Sequence, residues 1–206
     1  QVGNMTQLNS EQQERYERHV QLPNVGEEGQ LKLLKSKVLL IGAGGLGSPV
    51  ALYLAAAGVG ILGVVDDDKV TLSNLQRQVL YSTASVGNLK VKEAELEIER
   101  RNPDVSFIDY PDRLTDGRID WVFYSGWDVV IDACDNTPTR YLVNEACVKH
   151  KVPLIHGAVS RYEGQVTTLH PHTFGPCYQC LYPLPEPPPP RGQSKLGVLG
   201  VVPGMI

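Results

Sequence analysis

The sequence holds little that would carry it into a membrane. Its longest apolar stretches, "VLLIGAGG" and "ALYLAAAGVGILGVV", are broken by glycine, and the second ends at Asp66. Neither supplies the ~20 apolar residues that a spanning helix needs. No secretory leader is visible at the first residues, and no membrane partner is expected. Cysteine is scarce. Four in 206 residues cannot form a disulfide framework, so a reducing, cytoplasmic location is expected. Cys134 and Cys147 read as buried cysteines of a strand and a helix. Excess basic charge is also missing. The 19 Lys and Arg are outweighed by 23 Asp and Glu, for a net charge of −4. Without a broad basic surface, direct nucleic-acid binding is disfavoured. No internal repeat is present.

What remains suits one globular domain with a real core: 42% of residues are hydrophobic and 20% charged. Residues 1–36 read as a polar start followed by helices. Ser10 to Gln13 forms an S-x-x-Q capping box that opens a charged helix through about Val20, and "EEGQLKLLKS" predicts a second. From Lys37 strands and helices alternate. Strands are predicted at 37–41, 61–65, 105–110, 129–133 and 153–158, with helices at 47–57, 89–101 and 139–150. Gly58 and Asn102-Pro103 act as stops. This rhythm over 37–160 predicts an α/β, doubly wound, Rossmann-like sheet. From Arg161 the pattern changes. "YEGQVTTLHP" alternates like an antiparallel strand, a C-x-x-C follows, and the prolines from Pro183 to Pro190 exclude regular helix or central strand. The ending "VVPGMI" supplies no closing element, and 161–206 reads as a truncated extension.

Gly42, Gly44 and Gly47 form G-x-G-x-x-G between a strand and a helix. The first glycine allows a tight turn, the second lets phosphate approach the backbone, and the third lets the helix pack close. The helix start offers free N–H groups to phosphate. Asp66, at the next strand's end, can accept ribose hydroxyls. A nicotinamide dinucleotide is the default ligand of such a motif. The following residues favour a triphosphate instead. Ser73, Asn74, Arg77, Gln78 and Lys90 are donors and fixed cations, and Arg77 and Lys90 have no obvious acidic partner nearby in sequence. In "VVIDACDNTPTRYLVN", Asp132 and Asp135 end a strand at the edge where such sheets bind ligands. Asp135 could hold magnesium. Equally, Asp135 or Asn136 could cap the next helix.

Together these segments resemble the MoeB/ThiF group of ubiquitin-like-protein-activating enzymes. The resemblance rests on "RYERHVQLPNVGEEGQ", "GAGGLGSPVALYLAAAGVG", "DDDKVTLSNLQRQVL", "GNLKVKEA", "DNTPTRYLVNEAC", "EGQVTTLHP" and "GPCYQC", and covers nearly the whole chain from about Glu14. "PTRYLVNEAC" and "SRYEGQVTT" look most like the eukaryotic branch, which serves tRNA thiolation and molybdopterin synthesis. The resemblance implies ATP- and magnesium-dependent adenylation of the C-terminal glycine of a β-grasp sulfur carrier, for thiocarboxylation or protein conjugation. It implies nucleotide contacts at Gly45 and Asp66. It further implies phosphate contacts at Asn74, Arg77 and Lys90, with Ser73, Leu75, Gln76 and Gln78 lining the same loop. Asp135 would ligate magnesium with Asn136 adjoining. Arg18 would reach the partner's phosphates across a homodimer. A sulfur-donor protein and a C-terminal rhodanese domain, not found within these residues, are also implied.

Cys177 and Cys180 have the spacing of half a tetrahedral zinc site, a pattern that redox chemistry also uses. The resemblance implies a structural zinc whose other two ligands lie beyond this sequence. It also implies a nucleophilic cysteine before "GVLGVV", four residues ahead of Gly197. Gln193 stands there, and the nearest nucleophile is Lys195. A partly missing loop, a lysine replacing the thiol, and an enzyme that only adenylates are the three readings. Two other functions compete with adenylation: a nicotinamide-dependent oxidoreductase, and a non-catalytic subunit of a heterodimeric activating enzyme. The phosphate-binding set Arg18, Asn74, Arg77, Lys90 and Asp135 argues against the last.

Overall fold

The computed structural model describes residues 6–173, 175–184 and 197–206. Lys195 and Gln193 lie outside the described residues, as does most of the proline-rich run. The elements of the core are β1 (Lys37–Ile41), α4 (Gly47–Ala57), β2 (Ile61–Val65), α5 (Lys90–Arg101), β3 (Ser106–Tyr110), α6 (Asp116–Phe123), β4 (Val129–Asp132), α7 (Thr137–His150), β5 (Leu154–Ser160) and β6 (Glu163–Leu169). Three short helices precede them: α1 (Ser10–Arg15), α2 (Glu17–Val20) and α3 (Gly26–Lys35). Two follow: α8 (Tyr178–Leu181) and α9 (Val201–Met205).

One sheet runs β3-β2-β1-β4-β5-β6, parallel throughout except for the antiparallel β6. The apolar runs "KVLLI" and "ILGVV" become central strands because helices cover both faces. Residue alternation separates the two cores. Leu39, Ile41, Val65 and Val130 pack on one face with α6 and α7, through Ile119, Val122, Val143 and Ala146. Val38, Leu40, Leu62 and Val64 pack on the other with α4 and α5, through Ala51, Ala55, Val91, Ala94 and Ile98.

Three local expectations change. The first cap lies one residue earlier. Asn9 Oδ1 accepts from the Gln12 N–H at 2.9 Å, and the Asn9 N–H donates back to Gln12 Oε1 at 3.2 Å. The first helix is split into α1 and α2 at Tyr16 (φ −104°, ψ 13°). The buried Tyr16 phenol accepts from Asn102 Nδ2 at 2.8 Å and lies over Gly58, whose φ of 82° ends α4. Any side chain at Gly58 would collide with that ring. Helix α6 had no counterpart in the sequence reading. Its buried Ile119, Val122 and Phe123 have helical spacing, but over only eight residues. Among the described residues no helix is long and apolar enough to cross a membrane.

Candidate active site

The C-terminal ends of β1, β2 and β4 converge. Strand β1 lies between β2 and β4, so the turns that follow these strands share one edge of the sheet. This is where the strand order reverses and open α/β sheets take ligands.

The glycine-rich turn after β1 is shaped by its own packing. Gly42 has φ +93°, and a Cβ there would lie 2.9 Å from the Ala133 carbonyl oxygen. A Cβ on Gly47 would lie 1.9 Å from the Gly42 carbonyl oxygen. These two glycines are therefore required by the fold alone. Gly44 is not. A Cβ there would meet only Gln78 Nε2, at 3.7 Å. The protein leaves space in front of Gly44, and the N–H groups of Gly44, Gly45 and Leu46 donate to no described acceptor. They stand at the start of the 11-residue helix α4. This open, donor-lined cradle fits the phosphates of a nucleotide.

Asp66 closes the β2 side. Its Oδ2 accepts from the Ala43 N–H at 2.8 Å and its Oδ1 from the Asp68 N–H at 2.9 Å. Burial raises its pKa, opposed by the Lys90 charge and by those two N–H donors. Lys90 is 4% exposed, with its Nζ 3.0 Å from Asp68 Oδ2 and 3.7 Å from Asp66 Oδ1. The expectation that Lys90 lacks an acidic partner is thus corrected. Residues 68–70 fold back on 87–90 through the Val70 N–H to Asn88 O and Lys90 N–H to Asp68 O bonds. That pairing across about twenty residues has no signature in sequence. The Asp66–Asp67–Asp68 cluster already has the Lys90 ammonium beside it.

The loop after β2 carries the remaining donors. Asn74 Oδ1 accepts from the Thr71 N–H at 3.3 Å, so this side chain shapes a 3₁₀ turn. Ser73 Oγ pairs with Thr71 Oγ1 at 3.1 Å, and the Ser73 carbonyl accepts from Arg77 Nη1 at 3.0 Å. Arg77 forms no ion pair with a described residue. Its methylenes lie 3.4 Å from where a Gly45 Cβ would stand. Gln78 is buried, and its Oε1 has no partner among the described residues. Leu75 packs toward the α4–α5 core. Gln76 meets the C-terminal segment, since a Cβ on Gly200 would lie 2.3 Å from the Gln76 carbonyl oxygen. Pro203 of α9 lies 3.6 Å from a Gly45 Cβ position, so α9 covers one flank of the cradle. Sequence reasoning missed Pro203, because nothing local says where a C-terminal helix docks.

On the β4 side Asp132 and Asp135 separate. Asp132 is buried and accepts from His156 Nδ1 at 2.8 Å. Asp135 is exposed and pairs with no described residue. The helix cap is Asn136, whose Oδ1 accepts from the Thr139 N–H at 3.1 Å and the Thr139 hydroxyl at 2.7 Å. A free carboxylate one residue before that cap, beside the cradle, fits a hard cation held against phosphate oxygens.

Other candidates lie elsewhere. Arg18 is exposed on α2, and its Nη1 donates to Gln21 Oε1 at 3.5 Å. Tyr16, two residues before it, touches Gly58 at the far end of α4 from the glycine turn. Eleven residues at 1.5 Å each put about 16 Å of helix between those ends. Within one chain Arg18 does not join this site. Cys134 lies two residues past β4 rather than within it, and Cys147 lies in α7. Burial and the Asp132 charge push Cys134 well up and Cys147 up to about 12, so neither is an available thiolate. Cys177 differs. Its partial burial opposes ionisation, yet donors from Cys180, Asn144 and Gln179 bring its pKa below the ordinary value. Its Sγ lies 3.6 Å from Cys180 Sγ. Two thiolates of a tetrahedral zinc site, with Zn–S about 2.3 Å, stand about 3.8 Å apart. The pair fits half such a site.

The fold is that of a Rossmann-type chain, and its ligand-binding edge brings together Asp66, the open N–H groups at Gly44–Leu46 and Asp135, which pairs with no described residue. Residues 16–206 match the ThiF family, and the chain belongs to it. It is 49% identical over 200 residues to the SAMP-activating enzyme E1 of Haloferax volcanii, covering 97% of this chain and 73% of that one. It is 49% identical over 197 residues to mouse adenylyltransferase and sulfurtransferase MOCS3, covering 93% of this chain but 42% of the relative. The Thermus thermophilus sulfur carrier protein adenylyltransferase is 46% identical, with 95% and 74% covered. Among solved structures, selenomethionine PaaA superposes with TM-score 0.77 at 25% identity, covering 98% of this chain and 64% of that one. Escherichia coli tRNA N6-threonylcarbamoyladenosine dehydratase TcdA, solved with ATP, superposes with TM-score 0.68 at 27% identity, covering 74% and 62%.

Proposed function

We propose that this chain adenylates the C-terminal glycine carboxylate of a ubiquitin-like, β-grasp sulfur carrier protein. The observation that carries this reading is the convergence at one sheet edge of Asp66, the donor-lined cradle at Gly44–Leu46, Arg77, and Asp135, which pairs with no described residue. The names of the Thermus and Haloferax relatives support it. The carrier carboxylate oxygen bonds to the α-phosphorus of ATP. The bond from that phosphorus to the bridging oxygen breaks, and pyrophosphate leaves with the electron pair. Both reactants are anionic, so the site must supply positive charge and alignment rather than a general base. Asp66 holds the ribose, the open N–H groups and Asn74 orient phosphate oxygens, and Arg77 and Lys90 offset the charge that builds there. Asp135 would hold a magnesium ion, which supplies further charge neutralisation when bound.

Because the chain spans under half of the mouse relative, several finer points belong to the whole protein. We read it as a homodimer in which Arg18 serves the partner's site, since Arg18 lies far from its own. We read Cys177 and Cys180 as two of four ligands to a structural zinc. A sulfur-donor protein, sulfur transfer by a rhodanese domain, and roles in tRNA thiolation and molybdopterin synthesis complete the reading. The test is ATP–pyrophosphate exchange with a β-grasp carrier ending in Gly-Gly. Exchange should require the carrier and fall at least about a hundredfold in Asp135→Ala. Exchange indifferent to the carrier would remove the function. Exchange indifferent to Asp135→Ala would remove its assigned role.

A further inference from the structure

The Asp135 turn is braced from beneath by a buried polar cluster that reaches the C-x-x-C segment. Asp132 Oδ1 accepts from the Cys134 N–H at 3.0 Å, while Oδ2 accepts from His156 Nδ1 at 2.8 Å. Arg140, on the first turns of α7, donates through Nη2 to the Cys134 carbonyl at 3.2 Å. The Cys134 thiol points at the Asn136 carbonyl at 3.5 Å. The backbone that carries Asp135 is therefore pinned through the N–H of Cys134 by Asp132 and through its carbonyl by Arg140.

Both pins rest on Tyr178. Its ring packs edge-on against His156 with centroids 4.7 Å apart, and its phenol is near enough to the Arg140 guanidinium for the two to interact. Tyr178 is 5% exposed, and its N–H donates to Asn144 Oδ1 at 2.7 Å, which ties α8 to α7. Two buried atoms here have no partner among the described residues, Arg140 Nε and His156 Nε2. An unpaired buried polar atom costs free energy, so the hydrogen bonds of this cluster are incomplete and the packing against Tyr178 adds to them. Tyr178 lies between Cys177 and Cys180, so the C-x-x-C turn and the Asp135 turn share one wall.

We propose that Tyr178 is a positioning residue for Asp135, acting through His156–Asp132 and through Arg140. The C-x-x-C segment thereby sets the geometry of the cation-binding turn, about which its cysteines alone would say nothing. This rests on the proposed role of Asp135. Side chains that support a metal ligand from behind change metal affinity about 10–100-fold when removed.

The test compares Tyr178→Leu and Tyr178→Phe with the wild-type chain. Mn²⁺ binding to the complex with a non-hydrolysable ATP analogue is followed by electron paramagnetic resonance. Tyr178→Leu should weaken Mn²⁺ binding about tenfold, with metal-free affinity for the analogue unchanged. Mn²⁺ affinity within twofold of wild type, or an equal loss of metal-free affinity, overturns the proposal. Hydrogen exchange of residues 133–139 decides the matter if Tyr178→Leu does not fold. Tyr178→Phe removes only the oxygen near Arg140, and should speed that exchange about threefold while the β1 amides stay unchanged. Unchanged exchange at 133–139 overturns it. A wild-type chain that binds no Mn²⁺–nucleotide complex would sink the proposed function instead, and the exchange measurement would still judge the brace.

Discussion

Lys90→Gln tests the structural role of the Lys90 ammonium. Lys90 is 4% exposed and sits 3.7 Å from the buried carboxylate of Asp66 and 3.0 Å from Asp68. At an effective dielectric of about 20, a pair at 3.7 Å is worth about 4 kcal/mol before desolvation. Breaking a buried pair by removing one partner costs about 3–5 kcal/mol, because the other charge stays buried. Asp66 keeps its two N–H donors and Asp68 is largely exposed, so the low end applies: about 3 kcal/mol at pH 7. The assay is urea unfolding from pH 7 down to pH 5. The Asp66 pKa is already raised by burial, and Lys90 is the main force holding it down. Without Lys90 it rises further. The folded variant then binds a proton that its unfolded chain, with an ordinary carboxylate, does not. The Asp66 contribution to the variant's stability therefore rises as pH falls into the window just above the ordinary carboxylate value, and the gap to wild type narrows. Adding Asp66→Asn to Lys90→Gln should recover part of the loss at pH 7. A cost below about 1 kcal/mol at pH 7, or a gap that does not narrow toward pH 5, would refute the claim that Lys90 is a structural partner of Asp66.

Arg77→Ala should show the opposite profile, since Arg77 forms no ion pair with a described residue and donates only to the Ser73 carbonyl. Unfolding free energy should move by less than about 0.5 kcal/mol, while carrier-dependent exchange falls about a hundredfold or more. Comparable losses in both would make Arg77 structural. Metal analysis of the full-length protein should find zinc that is lost in Cys177→Ser, and zinc-free wild-type protein would exclude the metal reading of the 3.6 Å sulfur pair.

The alternation from Lys37 to Ala158 was legible because parallel strands covered on both faces leave short apolar runs, and turns after them need glycine or a cap. For the same reason Gly42, Gly44, Gly47 and Asp66 could be placed at a sheet edge from local pattern. The division of labour among the glycines could not. Only the fold distinguishes Gly42 and Gly47, which exclude a side chain sterically, from Gly44, which leaves space for a ligand. Likewise Asp132 and Asp135 look equivalent in "IDACDN". Strand pairing buries Asp132 against His156, from a neighbouring strand 24 residues away, and leaves Asp135 in the open. Lys90, read as a free cation, acquired two carboxylates through a loop pairing that spans 22 residues. Local sequence, through periodicity and turn chemistry, determined the sheet and the edge at which it takes a ligand. Which charges meet, which carboxylate stays free and what braces it were decided by tertiary structure, because burial and pairing depend on elements that are distant along the chain.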